Sequence, residues 1–170
     1  MLHILFVRGV LMDYDEKMNM KNVEFGDMPP QAFLLGLLSA FDNRYQASAD
    51  AFFKEITWKQ FFAIICINLC KEPPTINELS DIMGSSHQNV KQILLKLEKK
   101  GFVSFFTDGK DKRKLRILVT DECRSFLEKN DNNGEQSRQI IGRIFEGVGE
   151  KDLNITIQTI MKMERNLSGL

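Results

Sequence analysis

The side chains best suited to chemistry lie between residues 85 and 114, and their types point to nucleic acid. In the segment SSHQNVKQILLKLEKKG, apolar residues from Val90 to Leu97 recur at helical spacing. The opposite face carries amide and imidazole groups, and Asn or Gln can pair bidentately with adenine in the major groove of DNA. The candidates for reading base edges are His87, Gln88, Asn89 and Gln92.

Cationic and anion-binding groups surround this face. Lysine neutralises phosphates, which sets affinity and carries little sequence information. The predicted phosphate contacts are Lys91, Lys96, Lys110, Lys112 and Lys114. Ser85 and Ser86 precede the helix, where free backbone N–H groups favour an anion, and Arg113 would sense the width of a narrow minor groove. The competing interpretation is that these residues form only the solvated face of an amphipathic helix, and any single one of them can be so explained.

Local signals predict the elements that would position these groups. Thr75 and Glu78 form a capping-box pattern at the start of one helix, and Gly84 suits its left-handed end. Ser86 is a plausible N-cap for the next helix, and Gly101 is its stop. The two helices with the tight turn between them form a helix-turn-helix.

Two short strands are predicted directly after this pair of helices. Val103 and Phe105 alternate with polar or exposed positions, as do Leu115, Ile117 and Val119, which is typical of half-buried strands. A polar, basic tip from Thr107 to Lys114 connects them. A helix-turn-helix followed by a β-hairpin is the layout of a winged DNA-binding module.

Helices are also predicted on both sides of this module. Pro29 and Pro30 open a long helix from Gln31 to about Lys54, whose apolar face is too wide for one small domain to bury alone. Thr57 with Gln60 caps a second helix, and its segment FFAIICINLC is apolar on most sides, which predicts full burial. The segment NDNNG breaks the helical pattern after residue 129, and a last amphipathic helix runs from Lys151 to Leu167.

Composition sets the outer bounds. The 170 residues suit one domain with an appended arm, and the formal net charge is zero. Residues 71–116 nevertheless hold 10 Lys/Arg and 6 Asp/Glu, a net charge of +4, which leaves 13 against 17, or −4, for the remainder. The apolar opening MLHILFVRGVLM is too short to span a bilayer and lacks the features of a signal peptide, so we expect no membrane segment and a cytoplasmic protein.

The remaining reactive residues give no stronger hypothesis. Cys66 and Cys70 lie four residues apart, so a thiol pair or metal half-site competes with the simpler interpretation that both are small core residues. Cys123 as a redox sensor has only Arg124 as an adjacent cation. His3 and His87 sit in no ligand cluster, and no catalytic motif is present, so we expect no metal, no cofactor and no enzyme activity.

Several ordered motifs together resemble the MarR family of bacterial transcription regulators. They are ITWKQF at the second helix, LSDIMG and NVKQILLKLEKKGFV in the helix-turn-helix, DKRKLRILVT in the wing, and FEGVGEKDLNITIQTIMKMERNL near the end. The wing has the family's Asp-x-Arg pattern at Asp111 and Arg113, and Thr120 closes it. The resemblance implies a mainly α fold: a winged helix-turn-helix with a small β-hairpin wing and a helical dimerisation region.

The resemblance also implies a division of the chain and a mode of action. Residues 57–120 would form the DNA-binding domain, 29–56 and 121–170 the dimerisation region, and 1–28 an arm of unclear order. The homodimer would bind double-stranded DNA at a palindromic operator, with Arg113 in the minor groove and Asp111 bracing the wing. The protein would be a repressor that responds to a small-molecule effector. Aromatic residues that could line an effector pocket, or simply form core, are Phe33, Phe41, Tyr45, Trp58, Phe61 and Phe62.

A rival hypothesis is a winged-helix module for protein–protein assembly without a DNA target. Such a module does not need a basic wing tip, so the run from Lys110 to Lys114 favours DNA. Retention on heparin at low salt would distinguish the two.

Overall fold

A computed structural model describes residues 28–52, 55–130 and 135–169, and it contains seven helices and two strands within those ranges. We number them α1 Pro30–Phe52, α2 Trp58–Leu69, α3 Ile76–Met83, α4 His87–Lys99, β1 Val103–Thr107, β2 Leu115–Val119, α5 Asp121–Asn130, α6 Glu135–Ile144 and α7 Glu150–Leu167. The predicted mainly helical fold with one hairpin is therefore confirmed. The predicted arm, apart from Met28, and most of the NDNNG segment lie outside the described residues.

The described residues divide into two compact units, one up to Cys66 and one from Ile67 onward. In the first unit, α1 presents a largely accessible surface, with Leu35 and Phe41 about half exposed. The predicted cap of α2 is present: the Thr57 N–H donates to Gln60 Oε1 at 3.1 Å, and the Gln60 N–H donates to Thr57 Oγ1 at 3.3 Å.

The prediction that all of α2 is buried is wrong for its C-terminal end. Ala63, Ile64, Cys66 and Ile67 are buried as expected, but the side chain of Leu69 is 75% exposed. The periodicity of the segment does not reveal this because a single polar residue, Asn68, is too little to define a solvent-facing side.

The second unit contains the helix-turn-helix and the hairpin, and its helix ends follow the predicted signals. Thr75 and Glu78 form a complete capping box, and Gly84 ends α3 in the left-handed conformation with φ 57°. Ser86 caps α4 by accepting a hydrogen bond from the Asn89 N–H. Gly101 follows α4 with φ 75°, a conformation that favours glycine because a Cβ atom would crowd the backbone.

Strands β1 and β2 pair antiparallel, with Val103 opposite Val119 and Phe105 opposite Ile117. Those positions face the core, where Val103, Ile117 and Val119 are buried. The loop before α3 adds a short third edge, because Thr75 forms a β-bridge with Arg116 and the Ile117 N–H donates to Pro74 O at 2.9 Å. The hairpin is thereby joined directly to the start of the helix-turn-helix.

The core of this unit lies between α3, α4 and the hairpin. Its fully buried side chains include Leu79, Val90, Leu94, Leu97 and Ile117. Thr120 closes the hairpin: its Oγ1 donates to Gly101 O at 2.6 Å and accepts from the Cys123 N–H at 3.2 Å, which also caps α5. α4, β2 and α5 therefore meet at one residue.

The last two helices carry many exposed apolar side chains. No residue of α7 is buried, and Ile155, Ile157, Met161 and Leu167 are each about half exposed. Ile141, Ile144 and Phe145, in and just after α6, are exposed as well. An apolar surface of this extent is unusual for a monomer and typical of an interface with another protein.

Candidate nucleic-acid interface

Helix α4 presents a continuous polar face to solvent. The helix buries one stripe of Val90, Ile93, Leu94 and Leu97, and every other residue from His87 to Lys99 is exposed. Six of the predicted DNA-contacting residues lie on this accessible surface: His87, Gln88, Asn89, Lys91, Gln92 and Lys96. The periodicity therefore placed these side chains correctly, while their contacts with DNA stay a prediction.

The start of α4 is held by a small polar network. Ser86 Oγ accepts from the Asn89 N–H at 3.3 Å, and Asn89 Nδ2 donates to Ser85 Oγ at 2.8 Å. The three predicted residues Ser85, Ser86 and Asn89 thus lie together at the N-terminus of the helix, whose dipole favours a phosphate. The hydrogen bond to Ser85 uses one of the two N–H groups of the Asn89 amide and so fixes the orientation of this side chain.

The tip between the strands has a defined shape. The Asp108 N–H donates to Lys114 O at 2.9 Å, and the Lys114 N–H donates to Asp111 O at 2.9 Å. Asp111 Oδ1 accepts from both the backbone N–H and the Nε of Arg113, at 3.1 and 3.2 Å. The Arg113 side chain is 90% exposed, so the bracing carboxylate leaves its guanidinium projecting from the wing.

An ion-pair network at the base of the wing was not anticipated from the sequence. Arg116 pairs through Nε with Asp108, donates through Nη1 to Pro73 O at 2.7 Å, and lies 3.6 Å from Glu78 Oε2. The side chains of Arg116 and Asp108 are only 20% and 11% exposed. One arginine therefore joins the wing, the preceding loop and the capping box of α3. One sequence signal could have predicted this network. It is the arginine between the strand residues Leu115 and Ile117, eight residues after an Asp-Gly turn.

Three carboxyl groups in and beside this network have lowered pKa values. The hydrogen bond from Arg116 and the N–H groups of Asp111 and Lys110 keep the pKa of Asp108 well below its usual range. The pKa of Glu78 is lowered chiefly by its hydrogen bonds from Thr75, with a smaller contribution from Arg116. The pKa of Asp111 is lowered first by the Arg113 side chain.

Asp108→Asn should destabilise the protein at neutral pH and matter less in acid. A carboxyl whose folded-state pKa is depressed stabilises the fold above its unfolded pKa of about 4, and the contribution disappears as pH falls towards the folded value. Urea unfolding of the wild type and the variant at pH 7, 5 and 3 measures this. The difference in the free energy of unfolding between the two proteins should narrow towards pH 3. An equal difference at all three pH values would contradict the ionic role assigned to Asp108.

The predicted aromatic residues of the first unit also come together. The Phe41 and Tyr45 rings stack at 6.1 Å between centroids, and Tyr45 meets Trp58 edge-on at 4.6 Å. Trp58 lies 5.9 Å from Phe61 and 6.0 Å from Phe62. Phe33 is half-buried on the same helix as Phe41. Phe41, Tyr45, Trp58, Phe61 and Phe62 form what we call the aromatic cluster.

Two of the three cysteines lie in surroundings that disfavour the thiolate form. Burial raises the pKa of Cys123 to about 11, so its thiolate is scarce at neutral pH. Cys66 is buried and burial also raises the pKa of Cys70. In the part of the chain that the structure describes, no group of three or more His, Cys, Asp or Glu side chains is placed to hold a metal ion. Nor is any helix within those residues long and apolar enough to cross a membrane.

Comparison with known proteins bears directly on the winged module. A sequence model of the MarR family matches residues 56–115, the stretch that holds α2, the helix-turn-helix, β1 and the wing tip. This stretch is a MarR-family domain. The resemblance noted in the motifs is thereby confirmed for this stretch.

Solved structures of MarR-family proteins share the fold over most of the chain. A MarR/EmrR-family transcriptional regulator from an Acinetobacter species is 16% identical with a TM-score of 0.70, covering 84% of this chain and 100% of that one. A MarR protein from Peptoclostridium difficile is 19% identical with a TM-score of 0.71, covering 88% and 96%. CouR from Rhodococcus jostii, whose structure holds p-coumaroyl-CoA, is 19% identical with a TM-score of 0.64, covering 75% and 88%.

Proposed function

We propose that this protein is a DNA-binding transcription regulator of the MarR type, which reads DNA through α4 and the wing. The observation that carries the proposal is the coincidence of two exposed features in one MarR-family domain. One is the polar, lysine-bearing face of α4, and the other is the Arg113 guanidinium, 90% exposed at the end of a braced hairpin. A groove-reading helix with a basic wing is the arrangement that binds duplex DNA.

Within this proposal, some side chains read base edges and others contact the DNA backbone. His87, Gln88 and Gln92 would read base edges in the major groove, because amides and imidazoles can distinguish base pairs there. Lysines from Lys91 to Lys114 and the N-terminus of α4 would contact phosphates and set the register. Arg113 would enter the neighbouring minor groove.

In a homodimer, the second subunit would bind the second half-site of a palindromic operator. The uncovered apolar surfaces of α1, α6 and α7 supply the area that a partner subunit needs, with Leu35, Ile141 and Met161 among the exposed side chains. Residues 29–56 and 121–170 would then form the dimerisation region around the 57–120 domain. Light scattering should find a mass near 39 kDa, twice the chain mass of 19.6 kDa. A monomer at micromolar concentration would contradict this part of the proposal.

We further propose that the protein is a repressor that acts in the cytoplasm and is released by a small-molecule effector. The aromatic cluster supports an effector with an aromatic or apolar part, because ring faces and edges bind such groups well. CouR, which shares the fold, is seen with an aromatic acyl-CoA. An effector would act by favouring dimers in which the two recognition helices are no longer about 34 Å apart, one turn of DNA.

A gel-shift titration with the DNA upstream of the protein's own coding sequence tests the proposed function. The duplex should shift at or below micromolar dimer at a stated salt concentration, and a random duplex of equal length should need more protein. No shift with either duplex, together with no retention on heparin at low salt, would favour the alternative of a protein-interaction module.

Arg113→Ala should weaken DNA binding without affecting the stability of the fold. The residue is almost fully exposed, and its pairing with Asp111 lies within the tip. Loss of one charge contact should lower the salt dependence of binding, the slope of log K against log salt, by about one. Binding titrations at four salt concentrations measure both quantities, with a thermal melt as the control. Unchanged affinity and slope would rule out the role of the wing tip.

A further inference from the structure

The recognition-helix face contains one apolar residue that the contacts assigned so far do not use. Leu95 is 43% exposed, and it is the only apolar side chain among the exposed residues of α4. Its neighbours Leu94 and Leu97 are completely buried, so the core of the unit does not require a leucine at position 95. A side chain of this kind exposes apolar area to water unless a partner covers it.

The position of Leu95 relates it to the predicted base-reading residues. Gln88, Gln92 and Leu95 are spaced i, i+4 and i+7, so they form one stripe along the outward side of α4. Lys91 and Lys96 flank this stripe, and Lys99 continues it by one further turn. This surface has two amides and one leucine in the middle and cations beside them. It fits duplex DNA, which is a polyanion whose groove is mostly polar and locally apolar.

The major groove of DNA offers one apolar group at the base edges, the C5 methyl of thymine. Amide side chains such as Gln88 and Gln92 favour adenine, and each adenine brings a thymine on the opposite strand. Leu95 would therefore meet a methyl group in the same A·T-containing half-site that its neighbours on the stripe read.

We propose that Leu95 is a specificity-determining residue that recognises a thymine methyl group in each half-site, adjacent to the base pairs read by Gln88 and Gln92. The inference rests on the proposed function, since it requires that α4 enters the major groove. It goes further by naming an apolar contact and the base that supplies it.

Removal of that single methyl group from the DNA is the direct test. Duplexes that bind the full-length protein would be selected from a random-sequence library, and each thymine of the best duplex would be replaced in turn by uracil, which lacks only the methyl. At one thymine per half-site, uracil should weaken binding about threefold to fivefold, the scale of burying one methyl group. The other replacements should leave the affinity nearly unchanged.

Two variants assign the effect to the residue. Leu95→Ala should bind the thymine and uracil duplexes equally, and its melting temperature should match the wild type because the side chain is exposed. Lys96→Ala is the matched control on the adjacent position: it should weaken binding to both duplexes and keep the preference for thymine.

The outcomes separate this inference from the function on which it rests. If the wild type binds selected duplexes but no thymine-to-uracil change matters, or if Leu95→Ala keeps the full preference, the role of Leu95 is wrong and DNA binding stands. If the library yields no bound duplex at low salt, the proposed function fails, and the inference fails with it.

Discussion

Leu94→Ala is expected to lower the free energy of unfolding by about 2–5 kcal/mol, because it creates a cavity in a core that cannot fully close around it. The Leu94 side chain has no solvent exposure, and with Val90 and Leu97 it forms the stripe by which α4 packs. A loss of this size is a large fraction of the stability of an ordinary domain, so DNA binding should fall together with the folded population.

Leu95→Ala is the matched control for this prediction, one residue further along the same helix. Its side chain is 43% exposed, so the free energy of unfolding should change by no more than about 0.5 kcal/mol. Urea unfolding followed by far-ultraviolet circular dichroism measures both variants. Equal destabilisation by the two substitutions would mean that the face of α4 assigned to the core is wrong.

Arg116→Met is expected to weaken DNA binding roughly tenfold, the scale of losing one or two charge-assisted contacts at the interface. The substitution keeps an unbranched side chain but removes the guanidinium that joins Asp108, Pro73 O and Glu78. The hairpin pairing and the backbone contacts with Pro74 and Thr75 would remain, yet the wing would lose its side-chain tie to the start of α3. The tip would then be held less firmly over the minor groove.

Two further variants distinguish a positioning role of Arg116 from the simple loss of one positive charge. Arg124→Met also removes one positive charge, but Arg124 pairs only within α5 with the exposed Asp121, so its effect on binding should be small. In addition, Arg113→Ala should cost less affinity in the Arg116→Met background than in the wild type, since a loosened wing has less contact to lose. Fully additive effects of the two substitutions would contradict a positioning role for Arg116.

Leu94 and Arg116 make contacts that span different distances along the chain. Leu94 acts through the periodic stripe of its own helix, whereas Arg116 reaches Pro73, 43 residues earlier. A regular spacing of apolar residues can be read from a single sequence, but a long-range side-chain contact cannot, because it depends on how the hairpin and the loop before α3 are brought together. The Arg116 network was accordingly found only in the structure.

The amino-acid sequence by itself determined the elements of the winged module and their ends. The caps at Thr75 and Ser86, the left-handed Gly84 and the stop at Gly101 were all predicted and are all present. These signals are readable because each depends mainly on residues within four positions along the chain. The polar face of α4 followed for the same reason, from a repeat of 3.6 residues.

Tertiary structure decided what surrounds those elements. It showed that Leu69 ends an apolar helix in solvent and that Leu95 stands uncovered among polar neighbours. It also showed that one arginine connects the wing to α3, while Asp111 serves the tip. These properties depend on which other segments cover a residue, and a pattern of types along the chain contains no such information. The exposed wing and helix face are therefore a joint result of local signals and long-range packing.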